Sequence, residues 1–275
     1  LVYSAFSALP FAWADYKFMV NALLAVVLIA PLMGILGTMA VNNKMAFFSD
    51  ALGHSAFTGI ALGVLLGIEN ELISLIAFGV FIALLITKVK NKGNTSSDTV
   101  ISVFSSASIA VGLLVLSYGG SFTKYSAYLV GDILSVTKSE LLCLLITLVA
   151  VVVIWCLIYN KLLIISVNKE LAASRGIKTA LYENIFVIVV AVVVMLSIKW
   201  VGILLINSLL ILPAAASRNI TKNSRQYLSG SVVISLAGGV SGLIASFYFD
   251  TSAGATIVSV LAVIFFITYI ISKKK

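Results

Sequence analysis

The sequence contains few charged side chains. Only 10% of its 275 residues are Asp, Glu, Lys or Arg, whereas 61% are hydrophobic. A soluble globular domain has about a quarter charged residues and about half apolar ones, so this composition excludes one. Apolar runs long enough to cross a bilayer recur along the chain and predict a polytopic helical membrane protein. Because these runs are long and do not alternate, they argue against a transmembrane β-barrel.

Cysteine and nucleotide-binding loops are also scarce or absent. Cys143 and Cys156 lie in one apolar run, too far apart along a single helix to form a disulfide with each other. The sequence has no G-x-x-x-x-G-K-[ST] motif, so any ATP-driven step needs an ATPase on another polypeptide. The net charge of +8 comes from basic residues between the apolar runs and forms no stripe with aromatics, which excludes nucleic-acid binding.

Nine apolar segments are long enough to be candidate membrane spans. They cover residues 18–41, 45–68, 72–89, 99–118, 139–160, 181–198, 200–217, 228–249 and 253–272. Segments 181–198 and 200–217 are joined only around Lys199, which leaves a tight hairpin and one interrupted unit as alternatives. We therefore expect an all-α polytopic membrane protein with 8–9 transmembrane helices. If only eight helices cross the membrane, one of the nine segments must be re-entrant. Residues 1–275 are expected to form one transmembrane domain, with 1–17 as an interfacial N-terminal segment.

Basic residues collect on alternate connections between these segments, which sets the expected orientation. The basic groups are Lys88, Lys90 and Lys92; Lys161, Lys169, Arg175 and Lys178; Arg218, Lys222 and Arg225; and Lys273, Lys274 and Lys275. The remaining connections carry Glu69, Glu71, Lys124, Asp132 and Asp250. The positive-inside rule therefore places the C-terminus in the cytoplasm, and nine crossings would place the N-terminus outside.

Small residues recur every four positions in the segment 228–249. Ser231, Ser235 and Gly239 form this row. Such spacing lets two helices approach closely in lipid, so the row predicts a packing surface.

The only histidine of the chain lies in the stretch KMAFFSDALGHSAFTGIALGVLLG, residues 44–67. Asp50, His54 and Thr58 follow one another at intervals of four residues and share one face of a helix. An ionisable residue inside a membrane is costly and indicates a functional site. Carboxylate oxygen and imidazole nitrogen both bind first-row divalent metals, so we predict metal contact here. The alternatives are a buried hydrogen bond that fixes the histidine tautomer, or a span that begins later and leaves both groups in the interface.

One aspartate and one histidine cannot complete a tetrahedral metal site. The missing ligands would come from water, backbone carbonyls or a second copy of the chain, and the last source suggests a homodimer around a central path. Weak coordination suits a transporter, because an ion must leave as well as enter.

Three further polar residues lie in or beside apolar segments. Asn207 either lines a polar path or forms hydrogen bonds between helices. Asp250 either attracts cations at an entrance or caps the helix that follows it. Asp132 receives no assigned role.

The connection NKELAASRGIKTA, residues 168–180, is longer than a plain turn requires. We predict a short helix that begins at Lys169 and ends at Gly176, a natural C-cap. Such a helix on the cytoplasmic face would dock a soluble partner, and the alternative is an ordinary solvated loop.

Several stretches together resemble one family. They are FFSDALGHSAFTGIALG, YLVGDILSV, ELAASRGI, VGILLINSLLILPAAASR and DTSAGATIV, in this order. From about Ala8 to Ile271 the chain resembles the membrane-spanning permease subunits of ATP-binding-cassette importers for zinc and manganese. The resemblance implies a homodimer of permeases, two cytoplasmic ATPase subunits and an extracellular metal-binding lipoprotein, in a bacterial cytoplasmic membrane.

The resemblance also implies roles for individual residues. Asp50 and His54 would lie on the translocation path, and Asp250 has a counterpart in the family's last block. From their positions in the sequence, Thr58, Asn207 and Asp250 are candidate path or gate residues. Within the segment 168–178, the ATPase coupling residues would be Glu170, Leu171, Ala172, Ala173, Arg175 and Gly176. The chain would then be a transport subunit rather than an enzyme, with no permanently bound cofactor and with ATP on the partner. The histidine and the ILPAAASRN block favour zinc as the transported ion over manganese.

Two other function classes remain open at this point. A self-contained, ion-coupled metal transporter would need no ATPase, and it would usually show an internal repeat, which the sequence does not show convincingly. A structural membrane protein would use Asp50 and His54 for packing alone.

Overall fold

The computed structural model describes residues 11–68, 70–93, 95–118 and 131–272, and every regular element among them is helical. The long helices before the gap at 119–130 are α1 Lys17–Asn42, α2 Phe48–Leu65, α3 Glu71–Lys92 and α4 Ser97–Tyr118. The helices after it are α5 Lys138–Val167, the six-residue α6 Lys169–Ser174, α7 Thr179–Val201, α8 Ile203–Ile220, α9 Ser224–Tyr248 and α10 Ala253–Ser272. Two short 3-10 helices cover Ala12–Asp15 and Ile133–Ser135. The expected all-α fold is confirmed.

Eight helices within the described residues are long and apolar enough to cross a membrane. They include every long helix except α2, whose 18 residues contain Asp50 and His54. The predicted segments each correspond to one long helix. Glu69, Lys124 and Lys273 to Lys275, which entered the orientation argument, lie outside the described residues.

The fifth helix runs further than its predicted segment 139–160. Helix α5 continues to Val167 because the residues after Lys161 are again apolar, and Leu162 and Ile165 among them are buried. The Lys161 ammonium does not end the helix, because it donates to the Tyr182 hydroxyl of α7 and lies 4.7 Å from the centre of that ring.

One compact unit contains residues 1–38, 130–152 and 200–275. Within it, α8, α9 and α10 pack against one another. Helix α1 joins α9 where the Ser231 hydroxyl donates to the Gly34 carbonyl at 2.8 Å. A Cβ at Gly239 would lie 2.7 Å from Val26 Cγ1. Ser231, Ser235 and Gly239 are all buried, so the predicted packing row is confirmed.

A glycine separates α7 from α8. Gly202 is the only residue between the two helices, and its φ of +82° lies in the left-handed region that favours glycine. Within the first unit, a Cβ at Gly131 would lie 2.2 Å from the Gly202 nitrogen, so both positions require close backbone approach. The predicted connection around Lys199 therefore falls three residues later than the sequence suggests.

The second compact unit contains residues 39–129 and 153–199. In it, α2 packs against both α3 and α4. The Ser74 hydroxyl of α3 donates to the Gly59 carbonyl of α2, and a Cβ at Gly112 of α4 would lie 2.7 Å from the Thr58 nitrogen. These close approaches explain the small residues of α2, because a larger side chain there would clash with the neighbouring helices.

Candidate functional site

The Asp50–His54 pair lies on the open face of α2. Between Phe48 and Gly63, every residue is buried except Asp50, His54 and Leu62. Helix α2 begins at Phe48, so the two side chains extend from its first two turns. Asp50 Oδ2 lies 3.5 Å from His54 Nε2, and the side chains are 41% and 27% exposed, respectively. The sequence therefore places both polar groups on the one face that helix packing leaves uncovered.

A tight turn sets the start of α2. After α1, Lys44 adopts a φ of +54°, and the Met45 N–H donates to the Ala40 carbonyl at 2.8 Å. This is the hydrogen bond of a helix C-terminal motif in which the chain reverses at a left-handed residue. Residues 45–47 therefore precede the helix, and α2 begins three residues later than the predicted segment 45–68.

The two ring nitrogens of His54 have different surroundings. Nε2 faces the Asp50 carboxylate, whereas Nδ1 is buried and has no hydrogen-bond partner among the described residues. A contact of 3.5 Å is too long for a strong hydrogen bond, and neither side chain is buried. A structural hydrogen bond alone therefore does not account for the pair. Nε2 is the ring nitrogen that lies on the open face beside the carboxylate, where one metal ion could reach both groups.

The described part of one chain offers few further metal ligands. No group of three or more His, Cys, Asp or Glu side chains is close enough to hold an ion within residues 11–68, 70–93, 95–118 and 131–272. A cation at the pair would complete its coordination with water, backbone carbonyls or a second chain. Such a site holds an ion weakly, as passage requires.

The other predicted path residues have separate environments. Thr58 is buried, and its hydroxyl donates to the Ser108 carbonyl of α4, so it contributes to helix packing one turn beyond His54. Asn207 is half-buried in α8, within the first unit. Asp250 is exposed at a φ of +51° between α9 and α10, where no described residue forms a hydrogen bond with its carboxylate. The cap predicted for Asp250 is therefore absent, and the path roles of all three residues stay predictions.

Asp132 follows Gly131, whose φ is +66°, and precedes a 3-10 helix. Its carboxylate accepts a hydrogen bond from the Leu134 N–H at 3.0 Å and caps the 3-10 helix Ile133–Ser135. The structure thus gives it a local structural role that the sequence left unassigned.

The predicted short helix in the connection after α5 is confirmed with its boundaries. Asn168 caps α6, because its side chain accepts a hydrogen bond from the Leu171 N–H at 2.9 Å. Gly176 has a φ of +76°, and the N–H of Ile177 donates to the Ala172 carbonyl at 3.1 Å. These two features form the glycine C-cap that the sequence indicates.

Helix α6 presents an exposed surface around one buried anchor. Ala172 is buried, whereas Glu170, Leu171, Ala173 and Arg175 are exposed, as is Gly176. Leu171 is 46% exposed and lies beside the charged residue Glu170.

Sequence reasoning missed the polar contacts that hold α6. Lys169 Nζ lies 2.7 Å from Glu183 Oε2 of α7 and 3.0 Å from Asn91 Oδ1 of α3. Asn91 Nδ2 in turn donates to Glu183 Oε2 at 3.0 Å. The three residues are far apart in the chain, so only the fold brings them together. The one available signal is the isolated carboxylate of Glu183 at the start of an apolar segment.

Comparisons with known proteins match this chain to membrane proteins of metal-ion transport systems. The sequence profile of the ABC 3 transport family matches residues 15–272. The chain is 29% identical to the manganese import system permease protein ScaB of Streptococcus gordonii, over 95% of this chain and 94% of that protein. It is also 29% identical to the high-affinity zinc uptake system membrane protein ZnuB of Haemophilus influenzae, over 91% and 96%. Its fold matches PsaBC of Streptococcus pneumoniae, solved with a Fab, with a TM-score of 0.80, 27% identity and coverage of 93% and 92%.

Proposed function

Because this chain belongs to the ABC 3 transport family, we propose that it is the permease subunit of an ATP-driven importer of divalent transition-metal ions in the bacterial cytoplasmic membrane. Zinc is the favoured ion and manganese the next. The proposal rests above all on Asp50 and His54, whose carboxylate and Nε2 lie 3.5 Å apart on the uncovered face of α2. The similarity to ScaB and ZnuB supports manganese and zinc as the two candidate ions. Because both proteins are 29% identical to this chain, it does not favour either ion.

The transport cycle follows from two features of the chain. The absence of a phosphate-binding loop means that a separate ATPase supplies the energy. The exposed helix α6 offers that ATPase a rigid point of contact on the cytoplasmic side. ATP binding would draw two ATPases together, move α6 and switch the permease between outward-open and inward-open states. This alternating access brings the ion site into contact with one side of the membrane at a time.

A second copy of the chain is the proposed source of the missing ligands. Two copies around a central path would supply two carboxylates and two imidazoles, enough for a tetrahedral site. Histidine suits zinc, whereas manganese prefers oxygen ligands, so the same pair favours zinc. An extracellular metal-binding protein would deliver the ion, and Asn207 and Asp250 would line the path or its gate.

Reconstitution tests the proposal directly. We expect liposomes that contain the permease, a partner ATPase and the metal-binding protein to take up zinc only when ATP is present, and manganese less efficiently. The chain alone, with a cation gradient and no ATPase, should give no uptake. ATP-independent uptake by the chain alone would overturn the importer proposal in favour of an ion-coupled transporter.

The docking role of α6 gives a matched pair of variants. Leu171→Ala should lower ATP-driven uptake about tenfold, because truncation of a central apolar contact at an interface costs about 1.4 kcal/mol or more. Leu181→Ala removes a leucine of similar exposure, 49%, ten residues away in α7. This control should transport normally. Equal effects of the two substitutions would count against α6 as the contact with the ATPase.

A further inference from the structure

A closed triangle of polar side chains joins α6 to two long helices. Glu183 of α7 contacts both Lys169 of α6, at 2.7 Å, and Asn91 of α3, at 3.0 Å. Lys169 also donates to Asn91 Oδ1 at 3.0 Å, so each member contacts the other two. The Glu183 side chain is only 19% exposed, whereas Lys169 is 43% exposed. Glu183 is therefore the inner corner of the triangle.

The inner side of the triangle faces a small cavity. Glu183 lines this cavity with Lys90, Asn91 and Thr87 of α3 and with Asn43 and Met45 of the turn that leads into α2. Lys90 Nζ lies 3.4 Å from the Asn43 carbonyl. The triangle thus lies beside the end of α3 and the start of α2, the helix that carries Asp50 and His54.

An exposed ion pair contributes little to stability, because water screens it and both side chains lose freedom. This triangle differs, because one carboxylate serves two donors from different helices and is mostly covered. It ties the short helix α6, which has few other anchors, to the end of α3. Helix α3 packs directly against α2 through the Ser74–Gly59 hydrogen bond. A continuous chain of contacts therefore runs from α6 through α3 to α2 within the second unit.

We propose that the Lys169–Glu183–Asn91 triangle is the latch that transmits displacement of α6 to the helix pair α2 and α3, with Glu183 as its positioning residue. The inference rests on the proposed importer function and adds the route by which ATP hydrolysis reaches the ion site. Without the latch, α6 still meets the ATPase and stays joined to α5 and α7 through the chain, but it loses its side-chain contacts with α3. Hydrolysis then continues while fewer ions cross for each ATP consumed.

The test measures ions transported per ATP by the assembled importer in liposomes. Glu183→Gln and Lys169→Glu should each lower this ratio about fivefold, the size of a modest coupling energy, with hydrolysis retained. Lys169→Arg keeps the positive charge of α6 opposite Glu183 and should retain most of the ratio. Lys92→Gln removes an exposed charge next to Asn91 in the chain and serves as the control.

The outcomes separate the latch from a structural ion pair and from the importer function. A purely structural role would lower assembly, hydrolysis and uptake together and leave the ratio unchanged, which overturns the latch. If Glu183→Gln does not assemble, Lys169→Glu decides: a lowered ratio with hydrolysis retained supports the latch, and a wild-type ratio overturns it. The absence of ATP-driven uptake by the unmodified importer would instead overturn the proposed function itself.

Discussion

His54→Ala should reduce metal uptake by the assembled importer about 100-fold, the upper range for loss of a group that supports metal binding. The substitution removes the chain's only imidazole and with it one of the two ligands on the open face of α2. The Asp50 carboxylates of the two proposed copies would have to hold the ion with water or backbone oxygens as the other ligands. Helix packing should survive, because the His54 side chain is partly exposed and its Nδ1 bonds to no described residue.

The control for His54→Ala is Trp155→Phe. Trp155 Nε1 is a second buried ring nitrogen without a hydrogen-bond partner among the described residues, but it lies on α5. Its loss should leave uptake unchanged. Metal uptake is followed with radioactive zinc, and assembly by co-purification of the ATPase. Normal transport by His54→Ala would remove the pair from the path.

Gly112→Ala is the second substitution with a large expected effect, and it acts through packing alone. The added Cβ would lie 2.7 Å from the Thr58 nitrogen and 2.9 Å from its hydroxyl, where α4 crosses α2. Forcing extra volume into a close-packed contact costs about 1–3 kcal/mol, and here the nearest atom is backbone, which cannot rotate away. We expect a lower unfolding temperature in detergent and a severe loss of transport, because α2 is displaced together with Asp50 and His54.

Gly254→Ala is the matched control for this packing prediction. A Cβ at Gly254 meets no atom within 4 Å, and the residue lies in the first turn of α10. Alanine favours a helix over glycine by about 0.5–1 kcal/mol, so this variant should be at least as stable as the unmodified chain. Thr58→Ala should not rescue Gly112→Ala, since the closest contact is the main-chain nitrogen. Equal unfolding temperatures of the two glycine variants would show that α4 is not closely packed against α2 at Gly112.

Local signals in the sequence identify much of this structure because they act over a few residues. Asn168 and Gly176 indicate the two ends of α6, since a side-chain cap and a left-handed glycine are properties of single positions. Long apolar runs likewise indicate each membrane-spanning helix. The apolar stretch after Lys161 shows the limit: a single lysine suggests the end of a span, yet its contact with Tyr182 lets α5 continue.

Contacts between distant residues are not visible in the sequence. Nothing in the sequence around Asn91 or Glu183 shows that they meet at Lys169. The spacing of Asp50, His54 and Thr58 predicts that their side chains share one face of α2. It does not predict that α4 covers Thr58 while the side chains of Asp50 and His54 remain partly exposed. Which side of a helix stays uncovered depends on its neighbours, and those are set by the whole fold.

X-ray absorption at the zinc edge tests the central claim most directly. Because the chain has one histidine, scattering from an imidazole bound to zinc reports His54 alone, provided that purification uses no histidine tag. The account predicts an imidazole nitrogen at about 2.0–2.1 Å from zinc in the purified permease, and its loss in His54→Ala. A zinc spectrum without imidazole, or one that His54→Ala leaves unchanged, would contradict it.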